Sequence, residues 1–312
     1  MRVAIFGAGG VGGYYGGRLA QAGVDVTFIA RGEHLRAIQR DGLHVFSIAG
    51  DFHVKPAHAT DDAGTIGTVD VVIVALKTWQ LPAAMPACAR LLGPSTLVVS
   101  LQNGVEAPRQ LAAQFGDERV LAGVAKIFSA IEAPGCIRHA GGAAVIEFGR
   151  LDNRLTEDVT TLRDLFIQAG VNVKIPSDID IALWEKFLYV VPLGGVGAVT
   201  RAPVGIVRSH SESRQLLEEA MREIWRVARA RGVGLDNDLV ARGMKFVDGH
   251  PPGATTSLQR DILGGRPSEL EAWNGAAVRL GAEARVPTPV HGFLYASLLP
   301  QERRARGEIE FP

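Results

Sequence analysis

The sequence predicts an α/β chain in two parts: a doubly wound, largely parallel sheet in the first part and an all-α domain in the second. Three observations carry this. Short apolar runs of β type alternate with helical stretches as far as residue 176, the βαβα order from which parallel sheets are built. A glycine cluster, "GAGGVGG", stands between the first such run and the first helix. Beyond Pro176–Ser177 the strand patterns stop and helix patterns take over. The expected domains are therefore 1–176 and 177–312.

Each element has a local reason. Val3–Phe6 is an apolar strand, and Val11–Ala22 a helix of small residues that ends before Gly23. "DVTFIA" (Asp25–Ala30) is the second strand. "VDVVIVAL" (Val69–Leu76) is a nearly continuous apolar run, as expected of a parallel strand covered on both faces, and Thr96–Leu101 is another. Leu81–Leu92 and Glu106–Phe115 read as crossover helices, while Val120–Phe128, Ala144–Phe148 and Val171–Ile175 extend the sheet. "SDID" approximates a capping box ahead of the apolar run Ile181–Gly195, in which Pro192 is expected to kink or end the helix. "SRQLLEEAMREIWRVARARG" places Leu217, Ala220, Ile224 and Val227 at helical spacing. Asp238–Val247, Glu269–Gly281 and Val290–Leu299 are further helices. Ser268 and Glu271 form a capping box for the second of these. His250 and His291, near prolines, read as loop residues.

Composition excludes several functions. Hydrophobic residues at 47% against 21% charged residues indicate a globular chain. A formal net charge of zero removes the basic excess that nucleic acid or an anionic membrane would call for. Cys88 and Cys136 lie far apart, and no group of His, Cys, Asp or Glu has metal-ligand spacing, so no metal is expected. The N-terminus lacks the apolar core of a secretion signal, and no uncharged apolar window reaches about eighteen residues. A cytoplasmic protein is the expectation.

The glycine cluster contains Gly7-x-Gly9-x-x-Gly12, the Rossmann-type dinucleotide fingerprint, in its required context between a strand and a helix. Gly7 permits the tight turn, Gly9 lets a pyrophosphate approach the backbone, and Gly12 lets the helix pack close to the sheet. The helix N-terminus then offers free N–H groups to the phosphates. An acid usually ends the second strand of an NAD-binding fold; here Arg31 stands there, and a guanidinium suits a 2′-phosphate instead. Arg31 points to NADP(H); Glu33, two residues later, is within reach of a ribose hydroxyl, which leaves room for NADH as well. Lys77 and Asn103 follow two later strands at the sheet edge where ligands bind. Lys186 interrupts an apolar helix; taken alone it reads as a lysine snorkelling from one helix face.

These blocks resemble the ketopantoate reductases (2-dehydropantoate 2-reductases) over nearly the whole chain. The resemblance rests on "GAGGVGG", "AR" at the second strand, "ALKTWQ", "SLQNGV", "PGCIRHAGG", "LWEKF" and "TSLQRDILGGRPSELEAWNG". It implies reduction of a 2-keto acid, 2-dehydropantoate, by NADPH. It also implies cofactor binding by Gly7, Ala8, Gly9, Gly10, Val11, Gly12, Arg31 and Lys77, with Asn103 and Glu269 serving cofactor and substrate alike. Ser257 is the implied carboxylate-binding residue and Lys186 the implied general acid. A cation beside the ketone oxygen stabilises and protonates the charge that hydride addition drives there.

The resemblance has gaps. Where the family carries asparagines, this chain has Val190, Gly194 and Val204, which predicts a pocket suited to a more apolar or bulkier 2-keto acid. Asn274 is a candidate replacement amide. The alternatives are a reductase of a different 2-keto acid and a non-catalytic NADP-binding sensor. Apolar faces on the helical domain suggest a homodimer.

Overall fold

The computed structural model describes residues 1–311. They form two compact units: Met1–Gln102 with Ala107–Ile179, and Asn103–Glu106 with the chain from Asp180 onward.

The first unit is built on one ten-stranded sheet. Its strands are β1 (Arg2–Phe6), β2 (Asp25–Ile29), β3 (Leu43–Ser47), β4 (Phe52–Val54), β5 (His58–Thr60), β6 (Val69–Val74), β7 (Leu92–Ser100), β8 (Val120–Ala133), β9 (Cys136–Arg150) and β10 (Asn172–Lys174). The run β5-β2-β1-β6-β7-β8 is parallel throughout, and chain order reverses on either side of β1. This is the doubly wound arrangement, with its switch point at the carboxyl end of β1. β8 and β9 form a long antiparallel ribbon; β3 and β10 add to β9 in parallel, and β4 closes the edge antiparallel to β3.

Alternation along β1 sends Val3 and Ile5 to one face and Ala4 and Phe6 to the other. The first face packs against α1 (Gly10–Gln21), α2 (Gly32–Asp41) and, later in the chain, Val159, Leu162 and Phe166. The second takes α3 (Leu81–Ala89) and α4 (Ala107–Phe115). Phe28, Phe148 and Phe166 are wholly buried, each contributing about 1.5–3 kcal/mol by transfer from water. α5 (Glu157–Gln168) completes the helical layer.

The sequence reading leaves β3, β4 and β5 unassigned and makes β8 and β9 too short. The ribbon extends past Phe128 through residues 130–133, all exposed, against a stretch of β9 in which buried and exposed residues alternate, where the apolar pattern that marked the strand has ended.

The second unit holds α6 (Ile179–Thr200), α7 (Val204–Ser209), α8 (Ser211–Ala230), α9 (Leu239–Asp248), α10 (Ser257–Leu263), a π-helical turn at Glu271–Gly275, α11 (Ala276–Glu283) and α12 (Pro289–Ala305). α6 continues through Pro192, so the segment does not end at that position; residues 191–198 are all buried, and this packing holds the helix across the lost hydrogen bond. α6 is long and apolar enough to cross a membrane, but 72% of that window is buried inside the protein, as in a core helix.

Two further expectations are corrected. Ser268 does not form a capping box with Glu271. Its N–H and hydroxyl are bound by buried Glu302, at 3.0 Å and 2.5 Å to Oε2, while Glu271 pairs with Arg279. His291 is no loop residue: it lies in the first turn of α12, fully buried. Its backbone N–H, with that of Val290, is capped by the Glu223 carboxylate at 3.0 and 2.8 Å.

Candidate active site

The glycine loop lies at the carboxyl end of β1. Gly7 has φ +106°, a left-handed conformation that other residues rarely adopt, and Gly7 and Ala8 both donate to Ile29 O at 3.2 Å. A Cβ on Gly12 would collide with Gly7 O, and one on Gly10 with the β8 backbone at Ser129. Gly9 differs: nothing lies within 4 Å of the position its Cβ would take. Gly9 is also the N-cap of α1, and Val11 follows in the helix's first turn. An open glycine at the start of a long helix fits a pyrophosphate, which needs close backbone approach and unpaired N–H groups.

Arg31 caps α2 in extended backbone geometry and is exposed, and among the described residues no hydrogen bond or ion pair engages its guanidinium. Glu33 is bound by Arg36, whose hydrogen bond holds the carboxyl below its ordinary value. Lys77, half-buried just past β6, donates its backbone N–H to Gln80 Oε1 at 3.2 Å.

Sequence reasoning passed over one residue of this neighbourhood. His34, in the first turn of α2, lies 2.8 Å from Ala8 O through Nε2 and accepts from Gly135 N at 3.0 Å through Nδ1. Its only sequence signal is its place three residues after Arg31.

In the second unit, three residues named from the sequence meet in one chain of hydrogen bonds. Lys186 Nζ donates to Asn103 Oδ1 at 2.9 Å, and Asn103 Nδ2 donates to Glu269 Oε2 at 2.9 Å. Asn103 reaches this unit because the segment Asn103–Glu106 leaves the sheet after β7. Gly104, at φ +93°, makes that departure possible, and a Cβ there would press to 3.2 Å from Ala272 O. Glu269 is buried, and its neighbour Ser268 is pinned by Glu302, itself 2.6 Å from Arg306. The amide of Asn103 is thereby fixed with its oxygen to the cation and its nitrogen to the carboxylate. Glu185 turns away to Arg242 at 3.5 Å. Ser257 is the half-buried first residue of α10; the capping is done by Thr256, whose hydroxyl accepts from Gln259 N at 3.2 Å. Among the described residues no hydrogen bond joins Ser257 to the Lys186–Asn103–Glu269 chain.

The positions that lack the family's asparagines behave differently from one another. Val190 is half-buried, one turn along α6 from Lys186. Gly194 offers no added space, because the indole of Trp273 lies where its side chain would be, 2.7 Å from the Cβ position, with Leu258 at 3.1 Å. Val204 is packed at 3% exposure. Of the three positions expected to suit a bulkier acid, Gly194 is filled by Trp273 and Val204 is packed away from solvent, while Val190 keeps partial exposure. Asn274 is wholly buried, with Nδ2 3.1 Å from His291 Nδ1, and serves the core. Among the described residues no cluster of His, Cys, Asp and Glu is arranged to hold a metal.

Comparison with known proteins follows the same lines. A sequence profile described as ketopantoate reductase PanE/ApbA matches residues 3–153, and its C-terminal counterpart matches residues 178–302. A 2-dehydropantoate 2-reductase of Mesorhizobium japonicum is 32% identical over 314 residues, covering 93% of this chain and 94% of that one. The solved structure of a 2-dehydropantoate 2-reductase from Geobacter metallireducens matches with TM-score 0.91 at 32% identity, over 96% of this chain and 99% of the other. A D-mandelate dehydrogenase solved with NADH and anilino(oxo)acetate shares the fold, with TM-score 0.90 at 22% identity over 98% of this chain and 99% of that one.

Proposed function

We propose, on the premise that this chain belongs to the ketopantoate reductase family, that it reduces a 2-keto acid, 2-dehydropantoate, to the 2-hydroxy acid with NADPH. The bound nicotinamide cofactor supplies the hydride. The chain's own residues do the rest. Gly7, Ala8, Gly9, Gly10, Val11 and Gly12 present backbone to the pyrophosphate, and Arg31 and Lys77 supply positive charge to the cofactor's phosphates. Lys186 holds a proton at Nζ, and Asn103 keeps that ammonium in place. As the carbonyl carbon is reduced, charge gathers on its oxygen; Lys186 stabilises and then protonates it, an effect of about 10²–10⁴ in rate. Glu269 anchors Asn103 and with it completes the cofactor and substrate contacts, and Ser257 binds the substrate carboxylate.

The observation that supports this reading best is the bonded chain Lys186–Asn103–Glu269, which joins residues far apart in sequence. Purified protein is assayed by NADPH consumption on 2-dehydropantoate and on a panel of other 2-keto acids, with NADH in parallel. Lys186→Ala is expected to lose about 10²–10⁴ of kcat while still binding NADPH. Unchanged turnover would remove Lys186 from the mechanism, and NADPH binding without turnover on any 2-keto acid would favour a sensor.

Val190 supports a second reading, a reductase of a more apolar 2-keto acid, since an apolar side chain stands one turn from Lys186 where an amide would bond a polar substrate. The substrate panel separates the two. We further propose a cytoplasmic homodimer; light scattering on the purified protein checks the assembly.

A further inference from the structure

We propose that His34 is a positioning residue for the dinucleotide site: held as the neutral Nε2–H tautomer between Ala8 O and Gly135 N, it sets the orientation of the Ala8–Gly9 peptide on which a pyrophosphate would rest. The inference rests on the cofactor reading above and adds to it a residue that binds no ligand itself.

The tautomer follows from the partners. Gly135 N–H can only donate, so Nδ1 is the acceptor; Ala8 C=O can only accept, so Nε2 carries the proton. Burial draws the imidazole below its ordinary value, which agrees with a neutral ring. A peptide unit is planar, with C=O and N–H pointing in opposite directions. Fixing Ala8 O therefore fixes Gly9 N–H, and Gly9 is the loop residue with nothing within 4 Å of its Cβ position. The next carbonyl, Gly9 O, is already committed to Gly13 N at 2.7 Å as the first bond of the helix. The Ala8–Gly9 plane is the joint between strand and helix, and His34 restrains it.

The other end of the tether is firm. Gly135 turns the β8–β9 ribbon at φ +75°, and its carbonyl accepts from His44 N at 2.9 Å. The same ribbon lies against the loop at two more points: Ser129 across Gly10, and Ile137 Cγ1 2.8 Å from the Cβ position of Gly13. The ribbon, itself part of the sheet, thus braces the glycine loop with its outer half, and His34 is its side-chain strut.

The test is NADPH affinity of the full-length protein by cofactor fluorescence, with His34→Ala, His34→Asn and His34→Gln beside the unsubstituted chain. His34→Ala is expected to weaken NADPH binding about tenfold, as loss of one or two net hydrogen bonds implies. The KM for NADPH should rise in step while kcat at saturating cofactor stays unchanged, a split that general loss of folded protein would not produce. His34→Asn, too short to span both partners, should match His34→Ala even if the alanine variant folds poorly. His34→Gln keeps a donor and an acceptor at greater reach and should recover part of the affinity. Equal NADPH affinity in the unsubstituted, alanine and asparagine proteins overturns this inference alone. No NADPH binding by the unsubstituted protein overturns it together with the cofactor reading.

Discussion

Gly194→Ala tests whether α6 is packed as described. In an exposed helix interior, glycine to alanine stabilises by about 1 kcal/mol, because alanine has less backbone freedom to lose. Here the new methyl would stand 2.7 Å from Trp273 Cζ3, 3.0 Å from its Cε3 and 3.1 Å from Leu258 Cδ2. Trp273 is 2% exposed and Leu258 is 1% exposed, so neither can swing aside into solvent. Overpacking a core by one carbon costs about 1–3 kcal/mol. With the propensity gain already included in what is observed, the variant should be destabilised by about 1–2 kcal/mol, a five- to thirty-fold loss in the folded-to-unfolded ratio. Urea unfolding reads this as a lower midpoint at unchanged slope. Trp273→Leu should be less damaging in the Gly194→Ala background than alone, with a coupling of about 0.5–3 kcal/mol. If Gly194→Ala raises the midpoint, as an ordinary helix glycine would, the indole does not fill that space and Gly194 returns to consideration as pocket wall. The same reasoning separates two ways of restoring the family's asparagines: Gly194→Asn should fold badly, whereas Val190→Asn, at a half-buried site, should fold and shift substrate preference toward polar 2-keto acids, read as kcat/KM across the panel.

Two further predictions concern other places. Gly9→Ala has allowed backbone angles (φ −75°, ψ −163°) and no neighbour to strike, so its unfolding midpoint should match the parent while NADPH affinity falls steeply; a large loss of stability instead would contradict the open geometry. His291 is held neutral by complete burial, its value pulled down from 6.5 to about 4. Between those values the unfolded chain binds more protons than the folded one, so stability is fully present above pH 6.5 and drains away as pH falls toward 4. The loss is about 3 kcal/mol, partly offset by Glu223, whose carboxyl burial pushes up and which favours the folded state in acid. Replacing His291 with glutamine should flatten the fall in unfolding free energy across that window; an unaltered slope would mean that the acid sensitivity arises elsewhere.

What was legible in the sequence depended on whether the signal was local. β1, the glycine loop and α1 could be read because a strand, a tight turn and a close helix each impose their own residue type within a few positions, and Gly7, Gly9 and Gly12 stand where those demands fall. β6 and β7 could be read because strands covered on both faces are apolar without interruption. The outer half of the β8–β9 ribbon could not, since its residues are largely exposed and include Gly141 and Gly142, which look like a loop. The same division runs through the site. Lys186, Asn103 and Glu269 were each identified one at a time, Asn103 from its place at a strand end and the others from motifs in a family pattern; nothing local to any of them says that one amide would bridge the other two across separations of 83 and 166 residues. Gly194 was misread for the opposite reason. A glycine in place of a polar residue looks like added space, but in a buried helix the space belongs to whichever neighbour is large enough to take it, and Trp273 lies in a segment whose π-helical turn no spacing rule announced. His34 shows the limit most clearly. Its two partners are backbone atoms 26 and 101 residues away, and backbone atoms carry no residue type by which a sequence could reveal them. Side chains that act by holding backbone are therefore the class that sequence reading will systematically miss at sites like this one, and the ribbon-braced glycine loop is where a search for others in this fold should start.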